Sequence, residues 1–273
     1  MRQPRRYLVE AALLVAALVV IAPIVLMMLR SLQPVREILL AGIPTRVGLD
    51  NYRALLGERS VFPRQLRNSV LILSGAVALC LAIGLPAAYS LSKLAWRRTV
   101  TVLLMGVLVF IQLIPPMTLV PALYVTLVTL GLDNTILGLT LVHTVFHLPF
   151  VVLLLKVTFD AVPHELREAA LVDGASEART LRSVMLPVAA PGIAAAVIFA
   201  AILSWNDYLL GLTLTSGPEA APLTVGIGTF VQPFNVRYGE MTAAGTLAGL
   251  PIVLLAVFAH RYIVSGLTGG AVK

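Results

Sequence analysis

Few side chains in this sequence have the type and spacing that chemistry requires. His143 and His147 stand four apart on one helical face, a spacing able to chelate a metal ion, but their apolar segment holds no Asp or Glu to complete a ligand set. Two readings stay open for the pair: polar groups satisfied against neighbouring helices, or the lining of a polar pathway. His164-Glu165 begins a zincin-like pattern, yet the position of the second histidine is occupied by Glu168. There is no G-x-S-x-G, and Lys93, Lys156 and Lys273 all lie outside a Walker A sequence, so P-loop hydrolysis of ATP by this chain is excluded. Trp205-Asn206-Asp207 is a stronger candidate, because Asp207 lies deep in an apolar run near its outer end. A carboxylate inside a span costs about 2.5–3.5 kcal/mol at the bilayer centre, so Asp207 must face protein or water. It anchors neighbouring helices with Trp205 packed beside it, or it meets a polar permeant or the gate above one.

The elements that hold these residues belong to a membrane. Of 273 residues 59% are hydrophobic and 12% charged, against roughly 25% charged in soluble domains. The net charge of +7 does not indicate nucleic acid, since the basic residues mostly flank apolar runs. Cys80 is the only cysteine and lies within such a run, which removes a disulfide framework and a zinc site. The first apolar run is too long for a signal-peptide core, contains Pro23 and lacks a small-x-small cleavage site.

Six segments reach the roughly 20 apolar residues that a span needs, and the expected spans are 8–29, 69–91, 99–121, 136–159, 188–214 and 241–263. External loops are expected at 30–68, 122–135 and 215–240, all in one transmembrane domain of 1–273. Pro115-Pro116 and Pro121 interrupt the third apolar stretch, so 117–132 reads as an interfacial or re-entrant helix closed by Gly131 and a turn at Asp133-Asn134. Small residues recur at four-residue spacing in Ser74, Ala78 and Ala82 and in Gly245 and Gly249. They serve close helix packing within the chain or against a partner. Pro86, Pro149 and Pro251 lie inside spans, where they loosen the hydrogen-bond ladder. Even-numbered spans put both termini on one side. Twelve of the 20 Lys and Arg fall in the segments on the side of the termini, which makes that side cytoplasmic.

The cytoplasmic loop 160–187 then stands out. It carries Asp160, Glu165, Arg167, Glu168, Asp173, Glu177, Arg179 and Arg182 among the 33 charged residues of the chain. Pro163 suits a first helical turn and Glu165 complements the helix dipole. Leu166, Ala169, Ala170 and Asp173 follow at helical spacing, giving a small-residue face, and Gly174 is placed to end the helix. Ser176 caps a second helix with an apolar stripe of Leu181, Val184 and Met185, which Pro187 is expected to stop. By physics alone this is a linker lying on the membrane or a docking element for another protein.

The stretch resembles the EAA motif of ABC-importer permease subunits, through Glu168, Ala169, Ala170, Asp173, Gly174, Ala175, Val184 and Leu186-Pro187; Val184 replaces the usual isoleucine. Similarity to the maltose-type group continues in Asn51-Tyr52, Asn68-Ser69, the segment 121–134, Leu148-Pro149-Phe150 and Trp205-Asn206-Asp207. It ends with the tail 266–273, which is similar to that group's second permease subunit. The resemblance implies an all-α type I importer fold with six membrane helices in a bacterial inner membrane. It implies a coupling helix whose docking residues are Glu165, Leu166, Glu168, Ala169, Ala170, Asp173, Gly174, Ala175 and Pro187. Expected partners are a homologous second permease, two cytosolic ABC ATPases, an extracytoplasmic sugar-binding protein and membrane lipid. ATP and Mg²⁺ would be held by the ATPases, the chain itself binding no cofactor and catalysing no reaction. The loop 216–240 would face the binding protein and the tail would contact the ATPase. The implied cargo is a carbohydrate: a sugar, oligosaccharide or sugar-like polyol phosphate. A different polar solute, an ion-coupled transporter and an intramembrane hydrolase around His143 and His147 are the alternatives; the two interrupted repeats of the former and a nucleophile for the latter are missing from the sequence.

Overall fold

A computed structural model describes residues 3–39 and 46–268. The last five residues of the tail, expected to contact a partner, lie outside the described residues. The chain is helical nearly throughout, as its apolar runs require when backbone groups must find partners inside lipid. Helix α1 is Gln3–Ser31, followed by short α2 (Val35–Leu39) and α3 (Asp50–Leu56). Helix α4 is Phe62–Lys93, α5 Arg98–Leu113, α6 Pro116–Thr129 and α7 Ile136–Asp160. Helices α8 (His164–Val172) and α9 (Glu177–Thr180) form the polar loop, and a π-helical turn at Leu181–Met185 leads into α10 (Leu186–Asn206). Short helices α11 (Leu209–Leu214) and α12 (Leu223–Gly228), a hairpin of β1 (Val231–Gln232) and β2 (Asn235–Val236), and α13 (Tyr238–Thr268) complete the chain. Among the described residues, five helices are long and apolar enough to cross a membrane, and six segments qualify if α5 and α6 count as one bent span.

Three sequence expectations change. The span placed at 99–121 is two helices meeting at 94°, and the expected external loop 122–135 is helical as far as Thr129. Pro116 has no N–H to give and biases Pro115 away from helical backbone, so α5 stops at Leu113 and α6 begins afresh with Pro116 in its first turn. The re-entrant or interfacial helix expected at 117–132 has this bent geometry, and Gly131 ends it in the left-handed region at φ 66°. The segment 30–68, expected as an external loop, holds α2, α3 and the first turns of α4 among its described residues. The fifth span, expected at 188–214, breaks after Asn206.

Two compact units share the described residues, one within Met1–Pro63 and Gly226–Pro251, the other within Arg64–Val225 and Ile252–Lys273. In the first, Asn51 Nδ2 donates to the carbonyls of Ser31 (2.8 Å) and Gln33 (2.9 Å), and Tyr52 shares a hydrogen bond of 2.7 Å with Ser31. Those contacts account for the Asn-Tyr pair: α3 caps the end of α1. Gly245 of α13 admits Met27 of α1, while Gly249 meets nothing.

In the second unit α7 is central. It is apolar on all sides, as a helix surrounded by others must be. One core joins Cys80, Tyr89, Val151, Leu155, Phe159, Met185, Ala189 and Ala196 from α4, α7, the π turn and α10. Another joins Ile72, Leu127, Leu139, Val142, Leu210 and Leu214 from α4, α6, α7 and α11. The stripe on α4 that enters these cores is Ala76, Cys80, Gly84 and Ala88, all buried, whereas Ser74, Ala78 and Ala82 are exposed. At the outer end, Asn68 Nδ2 reaches the carbonyls of Pro218, Glu219 and Ala221 at 3.0–3.2 Å, and Ser69 Oγ accepts from the Leu223 amide at 2.7 Å. The Asn-Ser pair thus pins the start of α4 to the 218–223 segment.

Candidate functional site

The polar loop is built from local signals. Helix α8 starts after extended Pro163, with Glu165 in its first turn. It ends in a Schellman motif: the Ala175 amide donates to the Ala170 carbonyl (3.0 Å) and the Gly174 amide to the Leu171 carbonyl (3.0 Å). Gly174 holds φ 84° with open space around its missing Cβ. Its requirement is conformational rather than steric, because a side chain in this region costs about 1–2 kcal/mol. Ser176 Oγ then accepts from the Arg179 amide at 3.4 Å and caps α9.

Two expectations about this loop are corrected. Ala169 and Ala170 were placed on one docking face, but Ala169 is exposed and Ala170 is buried at 8% exposure. Ala170 turns inward and only Ala169 stays on the exposed surface. The outward face is instead Leu166, Ala169 and Val172, flanked by Glu165, Glu168 and Asp173, all exposed. Val172 is 86% exposed and had escaped notice in the sequence. Pro187, expected to stop the second helix, does not: Glu177–Asn206 is one long helix. An α-helical proline clashes with the carbonyl four residues back. The wider π turn, in which the Leu186 amide reaches the Leu181 carbonyl, opens the ladder ahead of Pro187.

The loop is tied to the membrane helices at two points, and an ion pair within α7 precedes it. Glu177 Oε2 accepts from Tyr89 of α4 at 2.6 Å and from Arg167 Nε of α8 at 3.3 Å, and a second Arg167 nitrogen pairs with Oε1. Lys93 Nζ, buried, donates to the Val162 carbonyl at 2.5 Å. Lys156 pairs with Asp160 at the end of α7. The hydrogen bonds from Arg167 hold the Glu177 carboxyl below its ordinary range. A depressed carboxylate stabilises above its unfolded pKa and loses that contribution as pH falls through the folded one, so the contact persists through neutral pH and fails only in acid.

The intramembrane candidates divide differently. His143, buried at 1% exposure, shares a 2.8 Å hydrogen bond with Ser204 of α10 through Nδ1, and its Nε2 lies 3.7 Å from Asp207 Oδ1. His147 meets His143 edge to face at 5.6 Å. Among the described residues no group of three or more His, Cys, Asp or Glu is placed to hold a metal ion. Trp205 is buried, whereas Asn206 is exposed and bonds back to the Ile202 carbonyl at 2.9 Å. Asp207 sits at the break. Its Oδ1 accepts from the amides of Leu210 (3.0 Å) and Gly211 (3.3 Å), and its own carbonyl accepts from Thr224 at 2.6 Å. A helix restarting inside a span exposes orphan N–H groups, and this carboxylate satisfies two of them. The anchoring role thus has a concrete form. Asp207→Asn should keep the cap and leave stability almost unchanged, while Asp207→Ala should lose about 1–2 kcal/mol, checked by thermal unfolding of the detergent-purified protein.

Residues 81–269 match the family model described as "Binding-protein-dependent transport system inner membrane component". The trehalose transport system permease protein SugB of Mycobacterium tuberculosis is 34% identical, covering 85% of this chain and 84% of its own length. The trehalose/maltose transport system permease protein MalG of Thermococcus litoralis is 31% identical over 82% of this chain and 81% of its own. A chain of a bacterial ABC transporter that imports the acidic polysaccharide alginate shares the fold with a TM-score of 0.82, 22% identity and coverage of 96% of this chain and 98% of that one. With its membrane helices and polar loop, the chain belongs to the family of inner membrane components of binding-protein-dependent transport systems, the permeases of ABC importers.

Proposed function

We propose that this chain carries a carbohydrate inward by alternating access, beside a homologous second permease, with two cytosolic ABC ATPases and an extracytoplasmic sugar-binding protein. ATP and Mg²⁺ act in the ATPases. The observation that carries this reading is the outward face of α8: Leu166, Ala169 and Val172 stand exposed on a helix fastened to the continuous Glu177–Asn206 helix. In cytosol that face has no reason to be apolar; in a groove of an ATPase it has one. Glu165, Glu168, Asp173, Gly174 and Ala175 shape its edges, and both termini share its cytoplasmic side. ATP binding between the ATPases supplies the differential affinity for two states that any conformational shift requires.

The named cargoes of SugB and MalG, trehalose and trehalose/maltose, support a sugar or oligosaccharide here. The hairpin Val231–Val236 carries Phe234 fully exposed in its two-residue turn, a shape suited to contact with a binding protein. Trp205, Asn206, Asp207, His143 and His147 border the route as candidates. The test is uptake by the reconstituted complex with its binding protein. Transport of a labelled disaccharide that stops on ATP depletion is expected. Uptake that persists without ATP overturns the reading in favour of ion coupling, and ATP-driven uptake of only a non-carbohydrate solute overturns the cargo.

A further inference from the structure

We propose that Tyr89, Arg167 and Glu177 form a latch that makes the docking helix and two membrane helices move as one piece. This rests on reading α8 as the ATPase-docking element and names the residues that transmit its motion. Without the latch, α8 would hang between the 161–163 turn and the left-handed Gly174 joint, and a push on it would be absorbed by rotation at those joints. One carboxylate prevents this. Glu177 accepts from the α4 phenol and from the α8 guanidinium at once, and a two-pronged arginine–carboxylate pair fixes angle as well as distance.

The anchor is itself immobile. Tyr89 is 4% exposed, and its ring meets Phe159 of α7 edge to face at 5.8 Å and 77°. One turn further along α4, Lys93 holds the Val162 carbonyl just ahead of α8. From Glu177 the helix continues through the π turn to Asn206 without interruption. Displacement of α8 is therefore delivered to α4 and α10 together, the second and fifth spans. The three side chains are positioning residues; they touch no substrate and no nucleotide.

The test compares Tyr89→Phe, Arg167→Glu, Glu177→Arg and the swapped double variant Arg167→Glu/Glu177→Arg in the complete transporter, measuring ATPase association, ATP hydrolysis and substrate uptake. The single variants are expected to keep the ATPase bound while uptake per ATP falls by about two- to thirtyfold, the span seen for lost coupling interactions. The double swap restores the opposed charges, and the phenol accepts as readily as it donates, so the ratio should return toward the parent value. A merely structural role would lower assembled complex, hydrolysis and uptake in proportion, leaving the ratio unchanged; that result overturns the latch. So does a Tyr89→Phe protein with the parent ratio, or a double swap no better than the worse single. Full uptake after an acidic substitution on the exposed face of α8 would instead remove the docking reading beneath it.

Discussion

Val172→Asp is expected to lower substrate uptake at least about tenfold while the protein still inserts and folds. Val172 is 86% exposed and touches no core, so the change costs the isolated chain almost nothing. Burying a valine side chain in a partner is worth about 1.5–3 kcal/mol, and an unpaired carboxylate in the same groove adds a desolvation penalty. Tenfold weaker seating corresponds to about 1.4 kcal/mol, which the apolar loss alone reaches. Leu166→Asp, about one and two-thirds turns earlier at the other edge of the exposed surface, should behave alike. The readouts are co-purification of the ATPase and binding-protein-dependent uptake, beside an unchanged detergent-extracted melting curve. Normal uptake from Val172→Asp would mean that α8 docks through another face or not at all.

Gly192→Leu should prevent the chain from accumulating in a folded form. Helices α7 and α10 are in close contact where Gly192 faces Thr158: a Cβ on Gly192 would lie 2.9 Å from the Thr158 Cβ and overlap its γ atoms more severely. Rotating Thr158 cannot relieve a contact with its own Cβ. Its hydroxyl is also engaged, donating to the Leu154 carbonyl at 2.9 Å. Overpacking a core costs about 1–3 kcal/mol for a modest excess, and a leucine side chain goes well beyond that. Gly192→Ala supplies the quantitative version. It should lose stability within that range, Thr158→Gly alone should lose about 1 kcal/mol of helix propensity, and the double variant should lose less than the sum. Thermal unfolding of all four proteins closes the cycle; strict additivity would show that the two positions do not meet.

The sequence made the local signals legible. Gly174 and Ser176 act through their own backbone or a neighbour within four residues, and each does in the structure what its type implies; Pro163, expected in the first turn of α8, instead precedes it in extended backbone. The Pro115-Pro116 break was legible for the same reason. How far α6 then extends was not, because an apolar run does not say which way a helix turns. Asp207 was legible as an anchor, but the helix break it caps was not, since the residues on both sides are equally apolar. Pro187 was misread because its usual effect as a stop depends on α-helical geometry, and the packed π turn before it supplies another. The face of α8 was half legible: the apolar spacing was right, but two adjacent alanines were credited with one direction. Glu177 was the largest omission among residues near the site. Its partner Tyr89 is 88 positions away inside an apolar run, where a tyrosine reads as core, and nothing in one sequence joins them.

The π turn at Leu181–Met185 sets the phase between the cytoplasmic and membrane parts of one helix. An i→i+5 turn holds one residue more than the α-helical turn it replaces. Removing a single residue there would let the ladder close as ordinary α-helix, turning everything before it by about 100° relative to α10. Glu177 would then face away from Tyr89, and Leu166, Ala169 and Val172 would point in a different direction relative to α10. The length of this five-residue stretch, more than the identity of its side chains, thus sets the rotational phase between α8–α9 and α10.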